Sequence, residues 1–174
     1  MSFPGAKSNM GGEMSKLLIV YHSRTGGTRQ MAEAAFGAAK EEADAVLMRA
    51  EEAMPEDLLA ADGYLFAGPE NLAALSGAMK EFFDRCYYPV LGQIEGRPYA
   101  LMICAGSDGD SAARQAARIA KGWRLREVQP PLIVNTRAQT PEEILAEKTI
   151  PDAELDKCRE LGAALGAGLK MGVF

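Results

Sequence analysis

Short, unbroken apolar runs alternate with longer segments of helical composition along this chain, and that alternation narrows the folds open to it. The run Leu17-Leu18-Ile19-Val20, within residues 16–21, reads as a buried strand. Residues 28–42, rich in Ala, Met and Glu, read as a helix. A weaker strand at 45–48 precedes another at 63–67, built on Tyr64, Leu65 and Phe66. Met79, Phe82, Phe83 and Cys86 recur at the i, i+3, i+4, i+7 spacing of one helical face. A fourth apolar run, 99–105, leads to a helical segment at 112–120, and a short fifth strand, 132–134, follows the Pro130-Pro131 break. Residues 142–147 read as a turn or two of helix. Leu155, Cys158, Leu161, Leu165 and Leu169 then line a closing amphipathic one.

Strands that alternate with helices need crossover connections, hence a parallel sheet covered on both faces. Unbroken apolar strands fit, because both faces of a parallel sheet are buried. The expected fold class is α/β: a three-layer sandwich whose five-stranded parallel sheet has the order 2-1-3-4-5, with helices on both faces. Ligands of such folds bind beyond the carboxyl ends of the strands, near the switch point. The loops after strands 1, 3 and 4 are therefore where function is sought. Residues 15–174 are expected to form a single domain. Residues 1–14 contain Gly and Ser and lack an apolar core, so a flexible extension and no signal peptide is expected there.

The net charge of -5 argues against nucleic acid as a partner, because phosphate backbones select basic surfaces. No apolar stretch is long enough to span a bilayer, so no membrane partner is expected. Cys86, Cys104 and Cys158 are odd in number and lack CxxC spacing. They read as free thiols of a reducing, cytoplasmic setting, with neither a disulfide framework nor a metal site.

The loop after the first strand is Ser23-Arg24-Thr25-Gly26-Gly27-Thr28. Its hydroxyls can donate to anionic oxygens. Gly26 and Gly27 permit backbone angles and close approaches closed to other residues. The following helix offers unpaired amides and the positive end of its dipole. Together these make a phosphate cradle that needs no lysine, with Arg24 adding charge or pointing to solvent. The competing reading is a tight strand-to-helix turn that only needs glycine. The loop is neither a Walker loop nor a GxGxxG turn.

This loop resembles the FMN-phosphate loop of the flavodoxin superfamily, roughly Ser/Thr-x-Thr-Gly-x-Thr. The stretch Gly68-Pro69-Glu70-Asn71, followed by Ser76-Gly77-Ala78-Met79-Lys80-Glu81-Phe82-Phe83-Asp84-Arg85, is similar to the segment after strand 3 in flavodoxin-like NAD(P)H-dependent reductases. Ala105-Gly106-Ser107-Asp108-Gly109 takes the place of their third loop. The resemblance covers residues 16 to 135. It departs from the pattern in the second loop, where Glu70, Asn71 and Leu72 replace the usual aromatic. The third loop also lacks the tyrosine that stacks on the flavin of electron-carrier flavodoxins, and there is no long insertion. An uncovered flavin face leaves room for a nicotinamide or quinone.

The resemblance implies FMN as cofactor and NAD(P)H as electron donor. Ser23, Arg24, Thr25, Gly26, Gly27 and Thr28 would hold the phosphate. Pro69, Glu70, Asn71 and Leu72 would line one edge of the isoalloxazine, with backbone amides near N1, O2 and N5. Ala105, Gly106, Ser107, Asp108 and Gly109 would border its pyrimidine end. No side chain is named as catalytic, since the hydride chemistry belongs to the flavin. The implied function is a reductase that passes electrons through FMN to a quinone, flavin or similar small acceptor. The alternative is a flavodoxin-type electron carrier, whose acidic charge would suit basic redox partners. Reductases of this type are commonly homodimers or homotetramers, in which a second subunit completes the flavin pocket.

Other residues carry plainer expectations. His22 is expected to meet a backbone carbonyl or solvent, Cys104 to be buried and inert, and Tyr87, Tyr88 and Trp123 to pack. Asp108 and Asp110 should face water or cap a helix, and Glu41, Glu42, Glu51 and Glu52 form a solvated surface. A serine hydrolase built on Ser107 would need His22, about 10 Å away across the intervening strand. A low-molecular-weight phosphatase would need Cys-x5-Arg, but Asp110 stands where the arginine belongs. A response-regulator receiver would need acidic residues where His22-Ser23 and Pro69-Glu70 stand. A non-catalytic binding module is separated from the enzyme by flavin colour and by NADH or NADPH oxidation.

Overall fold

A computed structural model of the chain describes residues 14–174. The extension expected at residues 1–14 lies outside the described residues except for Met14. The elements run β1 (Lys16–Tyr21), α1 (Gly27–Ala39), β2 (Asp44–Arg49), α2 (Pro55–Ala60), β3 (Gly63–Asn71), β4 (Ala74–Leu75), α3 (Gly77–Val90), β5 (Pro98–Ala105), α4 (Asp110–Gly122), β6 (Arg126–Glu127), β7 (Leu132–Asn135), α5 (Pro141–Leu145) and α6 (Asp152–Met171). Parallel pairing orders the sheet β2-β1-β3-β5, and β6 and β7 share the far edge by pairing with the start and the end of β5. This is the expected 2-1-3-4-5 arrangement, with the fifth position split by Pro130 and Pro131. No helix among the described residues is long and apolar enough to cross a membrane.

The strands are apolar throughout because alternate side chains enter two different cores. Leu18, Val20, Tyr64, Phe66, Leu101 and Ile103 pack with Phe82, Phe83 and Trp123 on the face covered by α3 and α4. Leu17, Ile19, Leu65, Ala67, Ala100 and Met102 pack with Met31, Ala35, Cys158 and Leu165 on the face covered by α1 and α6. The first face is aromatic: Phe66 meets Phe83 edge-on at 5.1 Å and Phe83 meets Trp123 at 5.3 Å between ring centroids. Tyr87 stacks on Trp123 at 6.4 Å, whereas Tyr88 is exposed. All four residues of the predicted α3 face, Met79, Phe82, Phe83 and Cys86, are buried.

On the second face the seam between α1 and α6 is built from small residues, and these two helices touch backbone to backbone. Ala32, Ala35 and Ala39 of α1 are fully buried. A Cβ on Gly162 of α6 would overlap the Ala35 carbonyl, and one on Gly166 would lie 3.0 Å from the Ala39 oxygen. Glycine is thus required at Gly162 by proximity rather than by backbone angle.

Besides the two-residue β6, two elements escape the sequence reading. Helix α2 has six residues, too few to show a period, although Pro55 with Glu56 and Asp57 marks its start. Arg97 caps its carboxyl end, Nη1 donating to the carbonyls of Leu58 (3.0 Å), Leu59 (3.0 Å) and Ala61 (2.6 Å). The other is the hairpin in which β3 continues past Ala67 and turns back antiparallel on β4.

Replacing Gly162 with alanine should lower stability by about 1–3 kcal/mol, the range for overpacking a close contact. Urea unfolding checks this. A midpoint equal to that of the parent protein would show that α6 can withdraw from α1 without loss.

Candidate functional site

The carboxyl edge of the sheet carries two helices whose N-cap is glycine, and the structure treats them differently. At α4, Gly109 is the N-cap, and its amide and that of Ala112 both donate to the Glu70 carboxylate, each at 3.0 Å. Asp110 adds a second negative charge in the first turn. The positive end of α4 is therefore already neutralised from within the chain. At α1 nothing comparable is present. Gly26 holds the N-cap in the left-handed region, φ +90°, with no side-chain cap and no acidic residue in the first turn. The leading amides of α1 lack partners in their own helix.

The loop that presents those amides is pinned in place. Ser23 Oγ accepts from the Gly26 amide at 3.1 Å. Gly27 lies so close to Cys104 that a Cβ would stand 2.7 Å from the sulfur. Thr28 is only 1% exposed, and its Oγ1 has no hydrogen-bond partner among the described residues. The Cys104 thiol beside it is a weak partner at best. Burial pushes that thiol up to about 11, so it is protonated and inert at neutral pH, as expected. Cys86 and Cys158 are also free, buried and raised to about 11.

Between the three loops lies a cavity of about 70 Å³. Ser23, Arg24, Thr25, Gly27 and Thr28 line it from the first loop, Pro69, Glu70 and Asn71 from the second, and Ala105 and Gly106 from the third. Gly26 borders a wider, open cleft on the outer side of the loop, with Arg29, Arg49 and Glu147. Leu72, Ser107, Asp108 and Gly109 do not line the cavity. Leu72 is fully exposed at the hairpin tip, where Leu72 (φ 50°) and Ala73 (φ 59°) both occupy the left-handed region. Non-glycine residues held there carry strain. Ser107 and Asp108 are exposed. Gly109 is buried, with its amide spent on Glu70.

The sequence reading missed the roof. Thr136, Ala138, Ile144 and Lys148, all from the segment between β7 and α6, also line the cavity. Gln139 Nε2 donates to the Gly106 carbonyl at 3.1 Å and the Thr136 amide to the Ala105 carbonyl at 2.8 Å, so this segment also holds the third loop. No motif announced these residues, because a loop's destination is not written in its own composition.

His22 differs from expectation. Its Nδ1 lies 2.9 Å from Ser76 Oγ and its Nε2 3.8 Å from Glu51, tying β1 to the start of α3. Burial lowers its pKa despite Glu51. Ser76 is itself buried at 1% exposure, so this pair offers no nucleophile to a substrate. No group of His, Cys, Asp or Glu suited to a metal occurs among the described residues.

The donor set at α1 fits a phosphate dianion: free amides at a positive helix end, hydroxyls of Ser23, Thr25 and Thr28, one of them orphaned, and no carboxylate in the first turn. Glu70→Ala should free the α4 amides and lower stability by about 1–2 kcal/mol, with Glu70→Gln losing less. Denaturant titration of the three proteins checks this, and an unaltered Ala variant would mean the Glu70 bonds are idle.

Comparison with known proteins agrees with this geometry. The model of the NADPH-dependent FMN reductase family matches residues 39–138. A flavodoxin of Aquifex aeolicus (strain VF5) is 42% identical over 98 residues, which cover 55% of this chain and 53% of that protein. The chain thus spans about half the length of this curated relative. A flavodoxin from the domain Archaea superposes with a TM-score of 0.73 at 18% identity, covering 89% of this chain and 99% of the other. A WrbA-like flavodoxin from Agrobacterium tumefaciens gives 0.71 at 18% identity, covering 90% and 98%. These two likenesses establish the fold, and the family match establishes more: the chain belongs to the NADPH-dependent FMN reductase family and is an FMN-binding protein of the flavodoxin-like superfamily.

Proposed function

We propose that the chain is an NAD(P)H-dependent reductase that works through FMN at the carboxyl edge of its sheet and delivers electrons to a quinone, a flavin or a similar small acceptor. The observation that carries this reading is the asymmetry of the two helix starts. The one at α4 is satisfied by Glu70, while the one at α1 is left open beside the orphaned Thr28 hydroxyl.

Bound FMN would accept a hydride and pass electrons on. The chain's own residues hold and orient. The leading amides of α1 and the hydroxyls of Ser23, Thr25 and Thr28 would grip the phosphate. Backbone at Pro69, Glu70 and Asn71 would lie along the isoalloxazine edge, with the Glu70 carboxylate drawn away toward α4. The cavity lining contains no aromatic side chain, which leaves a flavin face free for a second substrate. No acid or base is assigned, because none among the lining residues is needed to move the hydride. A homodimer or homotetramer would complete such a pocket.

A second reading has one observation in its favour. The relative that is 42% identical is a flavodoxin, and a chain of net charge -5 suits a carrier that docks on basic partners.

Purified protein mixed with FMN should show a protein-bound flavin spectrum that bleaches anaerobically with NADH or NADPH. Bound flavin that neither nicotinamide bleaches would make the carrier correct. Absence of flavin binding would overturn both. Thr25→Ala should weaken FMN binding by about 1–3 kcal/mol, the range for a hydrogen bond to a charged group, measured by fluorescence titration.

A further inference from the structure

The first loop holds no lysine, yet an ammonium reaches it from the far end of the chain. Residues 136–150, a strap running from β7 through α5 toward α6, cross over the first loop. The Lys148 amide donates to the Thr25 carbonyl at 2.8 Å. Gln30 clamps the same place: its Nε2 donates to the carbonyls of Gly26 (3.0 Å) and Lys148 (2.6 Å), and its Oε1 accepts from the Ile150 amide at 2.9 Å. The Lys148 side chain, half-buried, is steered by the carbonyls of Ile144 (2.9 Å) and Ala146 (2.5 Å) until Nζ stands 3.4 Å from Thr25 Oγ1.

Three observations give this placement a purpose. Lys148 lines the same cavity as Ser23, Thr25, Gly27 and the buried, unpartnered Thr28 hydroxyl. Among the described residues, Lys148 makes no ion pair, whereas Arg29 faces Glu147 at 3.9 Å and Arg24 is exposed. Glu70, the carboxylate that shares the cavity, is engaged by the amides of α4 and does not compete for the ammonium.

We propose that Lys148 is the cation of the phosphate site, brought over the first loop by the strap so that the ligand's phosphate is held between it and the amino-terminal amides of α1. The inference rests on the FMN reading above and adds to it a residue that discriminates phosphorylated from unphosphorylated flavin. The cavity of about 70 Å³ is far below the several hundred Å³ a cofactor-sized ligand occupies. At that size it is a site for the phosphate end alone.

The test is fluorescence titration of flavin-free protein with FMN and, separately, with riboflavin. It compares the parent, Lys148→Met and Lys148→Arg. The Met variant should bind FMN at least tenfold more weakly and riboflavin as the parent does, and the Arg variant should recover most of the FMN affinity. The Met variant's FMN binding should also depend less steeply on salt, because a charge has been removed. Equal weakening for both flavins would reduce Lys148 to a structural tie and overturn the proposal, as would unchanged FMN affinity. A parent protein that binds neither flavin would overturn the FMN reading itself, and this inference with it.

Discussion

Two-sided burial of β1, β3 and β5 is the constraint from which the rest of this structure follows. Every residue from Tyr64 to Ala67, and from Ala100 to Ala105, is buried, alternately against the aromatic layer and the small-residue layer. No polar function can be placed within such strands without loss of a hydrogen-bonding partner to water. Chemistry is therefore displaced to the ends of the strands, where backbone must leave the sheet. At the carboxyl end the parallel arrangement also gathers helix amino termini, so that edge is electropositive before any side chain is considered.

How the chain manages that positive edge separates structure from function. Glu70 sits at the end of β3 and turns its carboxylate to α4, an internal anion for an internal dipole. The α1 terminus, a strand away, keeps its amides and gains hydroxyls and the nearby Lys148 ammonium. Thr28 Oγ1 is the clearest mark of incompleteness, since a buried hydroxyl without a partner is a net loss to folding unless a ligand supplies one. The hairpin at Leu72 and Ala73 is a second local loss, two left-handed residues without glycine, at the rim of the same edge. Of the four non-glycine residues in the left-handed region among the described residues, Leu72, Ala73 and Arg137 lie at this end of the sheet and Arg124 at the other.

Much of this was legible in the residues. The unbroken apolar runs placed β1, β3 and β5, and the spacing of Met79, Phe82, Phe83 and Cys86 placed α3 and its buried face. Ser23 to Thr28 could be read as an anion loop because its signal is local: hydroxyls, a glycine pair and a helix start within one turn. The second and third loops depend on contacts beyond their own residues. Leu72 was placed at the flavin edge, but β3 runs on to Asn71 and carries it out to the hairpin tip. Gly109 was placed at the pyrimidine end, and its amide turned out to belong to Glu70. Both outcomes depend on pairing across the sheet edge, which the residues of either loop alone do not specify.

By itself the sequence determined the layer order, the buried faces and the first loop, because side-chain period and glycine chemistry act over a few neighbouring residues. Only the tertiary structure decided what faces that loop. Gln30 and Lys148 are separated by 118 positions and meet because α6 seats its Gly162 face on α1 and draws the preceding strap across the sheet's carboxyl edge. Contacts at that separation arise from packing whole elements together, and no local pattern encodes them.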